Sequence, residues 1–254
     1  MKSDIKVVPY SAEEIDQREE AASTIKPLPW WQAALFFGIP AILFALNYHL
    51  VALPSLDHDS LVLIAIALIG PYVLLLVASL VAYRLEGNIL SWAALKDRFR
   101  FQGVAKNIWF LAAILLVFSL LANWLLIAIR QQISRSADTS DMGYAVNMVS
   151  DNGKWLIFLG MLAQVFFNVI GEEAWWRGYI LPRQELTYGK YAWLIHGIMW
   201  TLFHIYQWWD LAALLPICLS IAYVSQRGKS IWPALVMHFA FNSIDLGLLI
   251  LNSF

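Results

Sequence analysis

The sequence predicts an all-α fold, a polytopic transmembrane helical bundle of about seven spans, with a range of six to eight. Of the 254 residues, 60% are hydrophobic, and the mean hydropathy is +0.62. Only 14% are charged, whereas a soluble domain has roughly 25%. Several apolar runs are also long enough for helices that cross a bilayer, which takes about 20 residues. We therefore expect the lipid bilayer to surround most of the chain.

Residues 1–29 are predicted to be a polar cytoplasmic tail. The stretch holds six acidic residues, and no apolar run follows a basic start, so we expect no secretory signal peptide. Pro27 and Pro29 end it, and Trp30 and Trp31 follow as a pair suited to the membrane interface. The formal net charge of −1 gives no reason to expect a nucleic-acid partner.

Residues 30–254 are predicted to form a single transmembrane helical domain. Polar loops at 54–60 and 130–153, the Pro-Arg pair at 182–183 and the basic turn at 226–229 separate its apolar runs. Because each run is apolar over most of its length, each is interpreted as a helix that crosses the membrane. The predicted spans are about 30–53, 61–83, 108–129, 154–181, 191–209, 211–224 and 231–251.

The connector at 84–107 is basic and predicts a short helix of its own. Trp92, Leu95 and Phe99 recur at helical spacing in it, which favours a helix lying on the membrane surface. The distribution of basic residues predicts the orientation, because Lys and Arg are more frequent in cytoplasmic loops. With a cytoplasmic N-terminus and an external C-terminus, the inside segments carry 13 of the 17 Lys and Arg.

The fourth span carries charges in an otherwise apolar run. Gln164, Asn168 and Glu172 are four residues apart and form one polar stripe on a helix. Glu173 is rotated by about 100° from that stripe and lies one turn before Arg177, a spacing that allows an ion pair within the helix. We therefore expect Arg177 to neutralise Glu173 and leave Glu172 free to react.

Two further spans present polar faces of the same spacing. Trp200 and His204 are four residues apart in the fifth span, and His238 and Asn242 are four residues apart in the seventh. The estimated depths of Glu172, His204 and His238 allow the three side chains to meet in the membrane. Such intramembrane polar groups are costly and indicate a functional site when several coincide. His196 and Cys218 are interpreted as structural or packing residues, and Trp175 and Trp176 as lipid-facing or packing aromatics.

Three motifs thus stand in order on the fourth, fifth and seventh predicted spans: Glu172-Glu173-x-x-x-Arg177, Trp200-x-x-x-His204 and His238-x-x-x-Asn242. Together they resemble the CPBP (Abi) family of CAAX-protease-like intramembrane endopeptidases, whose pattern is EExxxR, FxxxH and HxxxN/D. The resemblance covers the chain from about Asn168 to Asn242. One departure is Trp200, where the family usually has Phe, and this exchange of one aromatic residue for another puts little of the resemblance in doubt.

The resemblance implies a hydrolase that cuts a peptide bond of a membrane-associated protein or peptide, in the bacterial plasma (inner) membrane, with a catalytic core at about 154–251. It implies that Glu172 and His204 activate a water and that His238 and Asn242 stabilise the oxyanion. The chemistry of the residues agrees, because a carboxylate beside an imidazole can take a proton from water. The supporting residues are Glu173, Arg177 and Trp200.

Zinc is an alternative, since Glu172, His204 and His238 are residue types that could supply three ligands. We expect no cofactor, because the sequence shows no carboxylate partner for either histidine, as a zinc site normally has. The sequence lacks the His-Glu-x-x-His motif of zinc proteases and the Gly-x-Ser-x-Gly motif of serine hydrolases. The competing functions are a non-catalytic peptide-binding or bacteriocin-immunity protein and a small transporter or channel.

Overall fold

The computed structural model describes residues 25–52, 54, 61–134 and 151–253. Residues 1–24 of the predicted tail, and most of the predicted loops at 54–60 and 130–153, lie outside the described residues. The described chain is helical throughout and contains no strand, which confirms the predicted all-α class. A buried cluster draws side chains from Leu28 near the first helix to Phe241 in the last, so the described helices pack around a shared core.

The helices follow the predicted order. The α-helices are α1 (Trp30–Asn47), α2 (Leu61–Leu85), α3 (Trp92–Arg98), α4 (Lys106–Ser134), α5 (Asp151–Glu173), α6 (Leu181–Tyr188), α7 (Ala192–Phe203), α8 (Leu211–Gly228) and α9 (Trp232–Ser253). Two π-helical segments follow α1 and α5, at Tyr48–Ala52 and Ala174–Ile180. Two 3₁₀ segments flank α7, at Gly189–Tyr191 and His204–Asp210. The predicted spans are therefore all helical, with ends shifted by a few residues.

Within the described residues, four helical stretches are long and apolar enough to cross a membrane, namely Trp30–Ala52, Ala65–Leu85, Lys106–Ile133 and Phe158–Gly228. A multi-pass membrane protein is thus supported, whereas the count of seven is not confirmed. The last stretch has 71 residues, and a straight helix of that length would be roughly 105 Å long, against about 30 Å for the hydrocarbon core. It is not straight, because Gly189 has a positive φ of 54° and Gln207 has non-helical angles.

The predicted surface helix exists as α3, but part of its apolar face packs into the protein. Ser91 caps the helix, its side chain accepting a hydrogen bond from the Ala94 backbone N–H at 3.2 Å. Trp92 is exposed, as a membrane-surface helix requires, whereas Phe99 is buried. Of the three residues at helical spacing, Phe99 therefore packs into the protein, since it follows Arg98, the last residue of the helix.

Gly171 allows α2 and α5 to approach closely just before the two glutamates. A Cβ at this position would collide with the carbonyl oxygen of Tyr72 and lie 3.0 Å from its carbonyl carbon. Neither atom can move without the backbone of α2. The absence of a side chain at Gly171 therefore sets the spacing between Tyr72 and Glu172.

We expect Gly171→Ala to destabilise the protein by about 1–3 kcal/mol, the usual cost of overpacking. Gly160→Ala is the matched control, because Gly160 is in the same helix and has no heavy atom within 4 Å of its Cβ position. Thermal unfolding in detergent checks the prediction. Equal melting of both variants would show that α2 moves away without cost.

Candidate active site

The polar residues of three helices line one cavity of about 370 Å³. Glu172 reaches it from the end of α5, His204 from the turn after α7, and His238 and Asn242 from α9. The structure therefore brings the four predicted catalytic residues to the same cavity. The apolar part of its lining includes Met161, Val165, Leu214, Ile217 and Phe241.

Glu172 is held by two indole groups. Its Oε2 accepts hydrogen bonds from Trp200 Nε1 at 2.6 Å and from Trp176 Nε1 at 3.0 Å. Its Oε1 has only a 3.5 Å contact with Asn168 Nδ2. The carboxylate is therefore fixed in orientation through Oε2, while Oε1 keeps capacity to accept a proton.

These contacts change the interpretation of two tryptophans. Trp176 was interpreted as a packing residue, but it is fully buried and donates to Glu172. Trp200 donates a hydrogen bond that the Phe of the family pattern could not supply, since Phe has no N–H to donate to the carboxylate. Trp175 does pack, with its ring stacked on Tyr179 at a centroid distance of 5.4 Å.

Glu173 forms the predicted ion pair and one further contact. Arg177 Nη1 donates to its Oε1 at 3.0 Å, and both side chains are fully buried. The same oxygen lies 2.8 Å from His238 Nδ1, a contact that the sequence did not predict. The Arg177 guanidinium also lies 3.4 Å from the centroid of the Trp200 ring, a cation–π arrangement. Glu173 thus joins the motif of α5 to the histidine of α9.

His204 has a defined tautomer. Its Nδ1 lies 2.9 Å from the backbone oxygen of Trp200. A carbonyl oxygen can only accept, so Nδ1 carries the proton, and Nε2 of the neutral ring is an acceptor. His204 can therefore take a proton from a water in the cavity.

Asn242 is also oriented by α5. Its Nδ2 donates to Asn168 Oδ1 at 3.0 Å, and an amide nitrogen carries a second N–H. Asn168 thus contacts both Glu172 and Asn242, which explains why the predicted polar stripe of α5 continues one turn before the glutamates. Asn242 can donate its remaining N–H to a ligand in the cavity.

Sequence reasoning missed two tyrosines of the cavity, Tyr72 of α2 and Tyr206 of the turn after α7. Tyr72 lines the cavity together with Asn168, Gln164 and Tyr206. Tyr206 is two residues after His204 and could have been noticed, whereas no pattern in the sequence connects Tyr72 with the three motifs. Cys218 is buried, as expected for a packing residue, and also lines the cavity.

His196 does not line the cavity. It is fully buried, and its Nδ1 lies 2.6 Å from Gln184 Oε1. Its ring makes an edge contact with Phe37 at a centroid distance of 5.4 Å. The structural interpretation of His196 therefore agrees with its position between α1, α6 and α7.

The three candidate zinc ligands, Glu172, His204 and His238, all line the cavity. Contrary to the expectation from sequence, both histidines have partners of the kind that metal-bound histidines use, His238 a carboxylate and His204 a backbone carbonyl. Nevertheless, no three His, Cys, Asp or Glu side chains in the described part of the chain are grouped to share an ion. Glu172 Oε2 is already occupied by two indole donors.

Comparisons with known proteins agree with the motifs. No curated protein and no solved structure matches the chain. The model of one family, described as type II CAAX prenyl endopeptidase Rce1-like, matches residues 154–244. This region includes all three motifs and supports a protease role. The predicted resemblance is therefore confirmed, and residues 154–244 of this membrane protein are similar to the type II CAAX prenyl endopeptidases of the CPBP family.

Proposed function

We propose that the protein is an intramembrane endopeptidase that hydrolyses a peptide bond of a membrane-associated protein or peptide. The observation that carries this proposal is the meeting of Glu172, His204, His238 and Asn242 at one cavity inside a helical bundle. A carboxylate, a neutral imidazole and two possible oxyanion donors are the groups that hydrolysis by activated water requires. The Rce1-like match over the same residues supports this class of reaction.

Glu172 and His204 activate the water. Glu172 Oε1 has only a weak contact with Asn168, and His204 Nε2 is unprotonated because Nδ1 donates to Trp200. A water between these two acceptors loses a proton as its oxygen attacks the substrate carbonyl carbon. The same proton then passes to the leaving amine, so that the carboxylate and the imidazole return to their starting states.

His238 and Asn242 stabilise the oxyanion. Because His238 Nδ1 donates to Glu173, donation from Nε2 requires the imidazolium form. The charges then balance, since Arg177 and an imidazolium at His238 offset the two carboxylates. Asn242 supplies its second N–H. Each such donor contributes about 3–4 kcal/mol in known enzymes.

The test is membrane proteomics of cells that contain either the wild-type protein or Glu172→Gln at equal levels. Proteins with an uncut terminal segment should accumulate only with the variant. An identical set of termini in both cells contradicts the protease and favours the peptide-binding alternative.

We propose seven spans, a cytoplasmic N-terminus, an external C-terminus and location in a bacterial plasma membrane. The concentration of Lys and Arg in the segments assigned to the inside supports this orientation. Reporter fusions after the turn at 226–229 and at the C-terminus measure it directly. We expect the first fusion to report the cytoplasm and the second to report the outside.

We propose that catalysis needs no metal, with zinc as the alternative. The purified protein is expected to contain less than one zinc per ten chains and to stay active with strong chelators. Metal analysis by mass spectrometry checks the first expectation. A stoichiometric metal that is lost in His204→Ala and His238→Ala would establish the alternative.

A further inference from the structure

A segment outside the family match contacts the elements on both sides of the cavity without lining it. Residues 98–102, named here the clasp segment, begin at the last residue of α3 and precede α4. On one side the segment contacts the π-helix that directly continues the Glu172 helix. On the other side it contacts the turn that begins α9, the helix of His238 and Asn242. The match to the protease family covers residues 154–244 only.

Arg98 makes the first set of contacts. Its side chain is buried, and Nη1 donates to Gly178 O at 3.0 Å while Nη2 lies 3.4 Å from Tyr179 O. Nη2 also pairs with Glu86 at 3.3 Å. Burial lowers the pKa of the Arg98 guanidinium, and the neighbouring Glu86 opposes that shift. Arg98 therefore satisfies carbonyl groups of a π-helix that begins one residue after Glu173.

The Phe99 ring packs against the same π-helix. Its ring is buried and lies over Gly178, where a Cβ would collide with the ring atom Cδ1 and lie 3.2 Å from Cγ. Only a glycine at position 178 leaves room for the Phe99 ring. Hydrogen bonds from Arg98 and packing by Phe99 thus fix the position of the π-helix relative to the clasp segment.

Arg100 and Gln102 make the second set of contacts. The backbone oxygen of Arg100 accepts from Ile231 N at 3.0 Å, and Gln102 O accepts from Ser230 Oγ at 2.6 Å. Arg100 has a φ of 57°, a left-handed conformation that residues with a side chain rarely adopt. This conformation persists because contacts on both sides of the residue hold it.

An ion-pair cluster ties the same elements together. Arg100 makes two hydrogen bonds to Glu185 of α6, at 2.8 and 3.0 Å, and Lys229 pairs with the same carboxylate. Glu185 thus links the clasp segment, the chain that continues from the π-helix and the turn before α9. The cluster thus adds an electrostatic connection between α6, which continues from the π-helix, and the turn before α9.

We infer that the clasp segment aligns the Glu172 helix with the His238 helix and that Arg98 is a positioning residue for hydrolysis. The inference rests on the proposed function for its catalytic consequence only. The clasp segment touches no cavity residue, so it acts through the π-helix and α9. Alignment matters because a displacement of about 1 Å in a reacting group can cost up to about 10²-fold in rate.

The experiment measures alignment and cleavage separately. Spin labels replace the exposed side chains of Phe166 in α5 and Phe239 in α9, in a Cys218→Ala background, and pulsed electron resonance gives the distribution of distances between them. Cleavage is measured in membranes from the uncut segments that accumulate. The variants are Arg98→Ala, Arg98→Lys and the control Arg84→Ala. Arg84 is exposed and donates to Asn88 O at 2.7 Å.

We expect Arg98→Ala to broaden the distance distribution and to lower cleavage about tenfold or more. Arg98→Lys should give intermediate distances and cleavage, because one ammonium group keeps the charge but cannot reach all three acceptors. If Arg98→Ala does not fold, Arg98→Lys tests the inference in its place. Arg84→Ala should match the wild type. An unchanged distance distribution, or cleavage at the wild-type level, overturns the inference. If Glu172→Gln also leaves cleavage unchanged, the proposed function has failed, and the distances alone decide the role of the clasp segment.

Discussion

Glu172→Gln is expected to lower the rate of peptide cleavage roughly 10²–10⁴-fold, the usual contribution of a positioned general base. A neutral amide cannot accept the proton of the attacking water, so Glu172 loses its proposed chemical role. His204 stays in place, because its Nδ1 is held by the Trp200 backbone. Any residual rate would come from His204 and the oxyanion donors.

The variant should fold as well as the wild type, because a glutamine can keep the hydrogen bonds of Glu172. Both indole groups donate to the same oxygen, Oε2. The amide oxygen of glutamine can occupy that position and accept from both. The amide nitrogen then takes the place of Oε1, which has only the 3.5 Å contact with Asn168.

The measurement is the cleavage rate of a fluorogenic peptide copied from the segment that accumulates uncut in cells, with melting in detergent as the folding check. Asp210→Asn is the control, since Asp210 pairs with Arg130 at 2.8 Å and does not line the cavity. It should cleave at the wild-type rate. A folded Glu172→Gln protein with full activity would remove Glu172 from the mechanism.

Glu173→Gln is expected to reduce both stability and activity, with a loss of about 3–5 kcal/mol in the free energy of unfolding. Arg177 and Glu173 are fully buried, so removal of one charge leaves the other without compensation in a medium of low polarity. The same oxygen of Glu173 also holds His238, and an amide stabilises an imidazolium less than a carboxylate does. Substitution of Glu172 is thus expected to lower cleavage alone, whereas substitution of Glu173 is expected to lower both stability and cleavage.

A double-mutant cycle with Arg177→Gln separates the two losses. Glu173→Gln with Arg177→Gln removes both charges, so thermal stability should recover relative to either single variant. Cleavage should stay low, because His238 still lacks its carboxylate partner. If the double variant recovers both stability and cleavage, Glu173 serves only to neutralise Arg177. Monodisperse yield, melting in detergent and peptide cleavage provide the three measurements.

The helical spans and the candidate residues could be predicted from the sequence. The long apolar runs set the helices, because a backbone in lipid must satisfy its hydrogen bonds internally. The spacing of Glu173 and Arg177 predicted their ion pair, which depends only on the geometry of one helix. The motifs predicted the family resemblance, which the match over residues 154–244 confirms.

Contacts between helices could not be predicted in the same way. The pairing of His238 with Glu173, the indole bond from Trp200 to Glu172 and the place of Tyr72 in the cavity depend on how far helices approach and rotate. The burial of Phe99 could not be predicted for the same reason, since its ring packs on a glycine far away in the sequence.

The sequence by itself therefore determined the transmembrane helical class and four of the side chains that line the cavity, those of Glu172, His204, His238 and Asn242. The periodicity of single helices and the cost of charge in lipid carry that information. Only the tertiary structure decided which carboxylate contacts which histidine and how residues 98–102 connect the π-helix with α9. Those contacts are set by close approaches, as at Gly171 and Gly178, where the absence of one Cβ fixes the spacing between neighbouring segments.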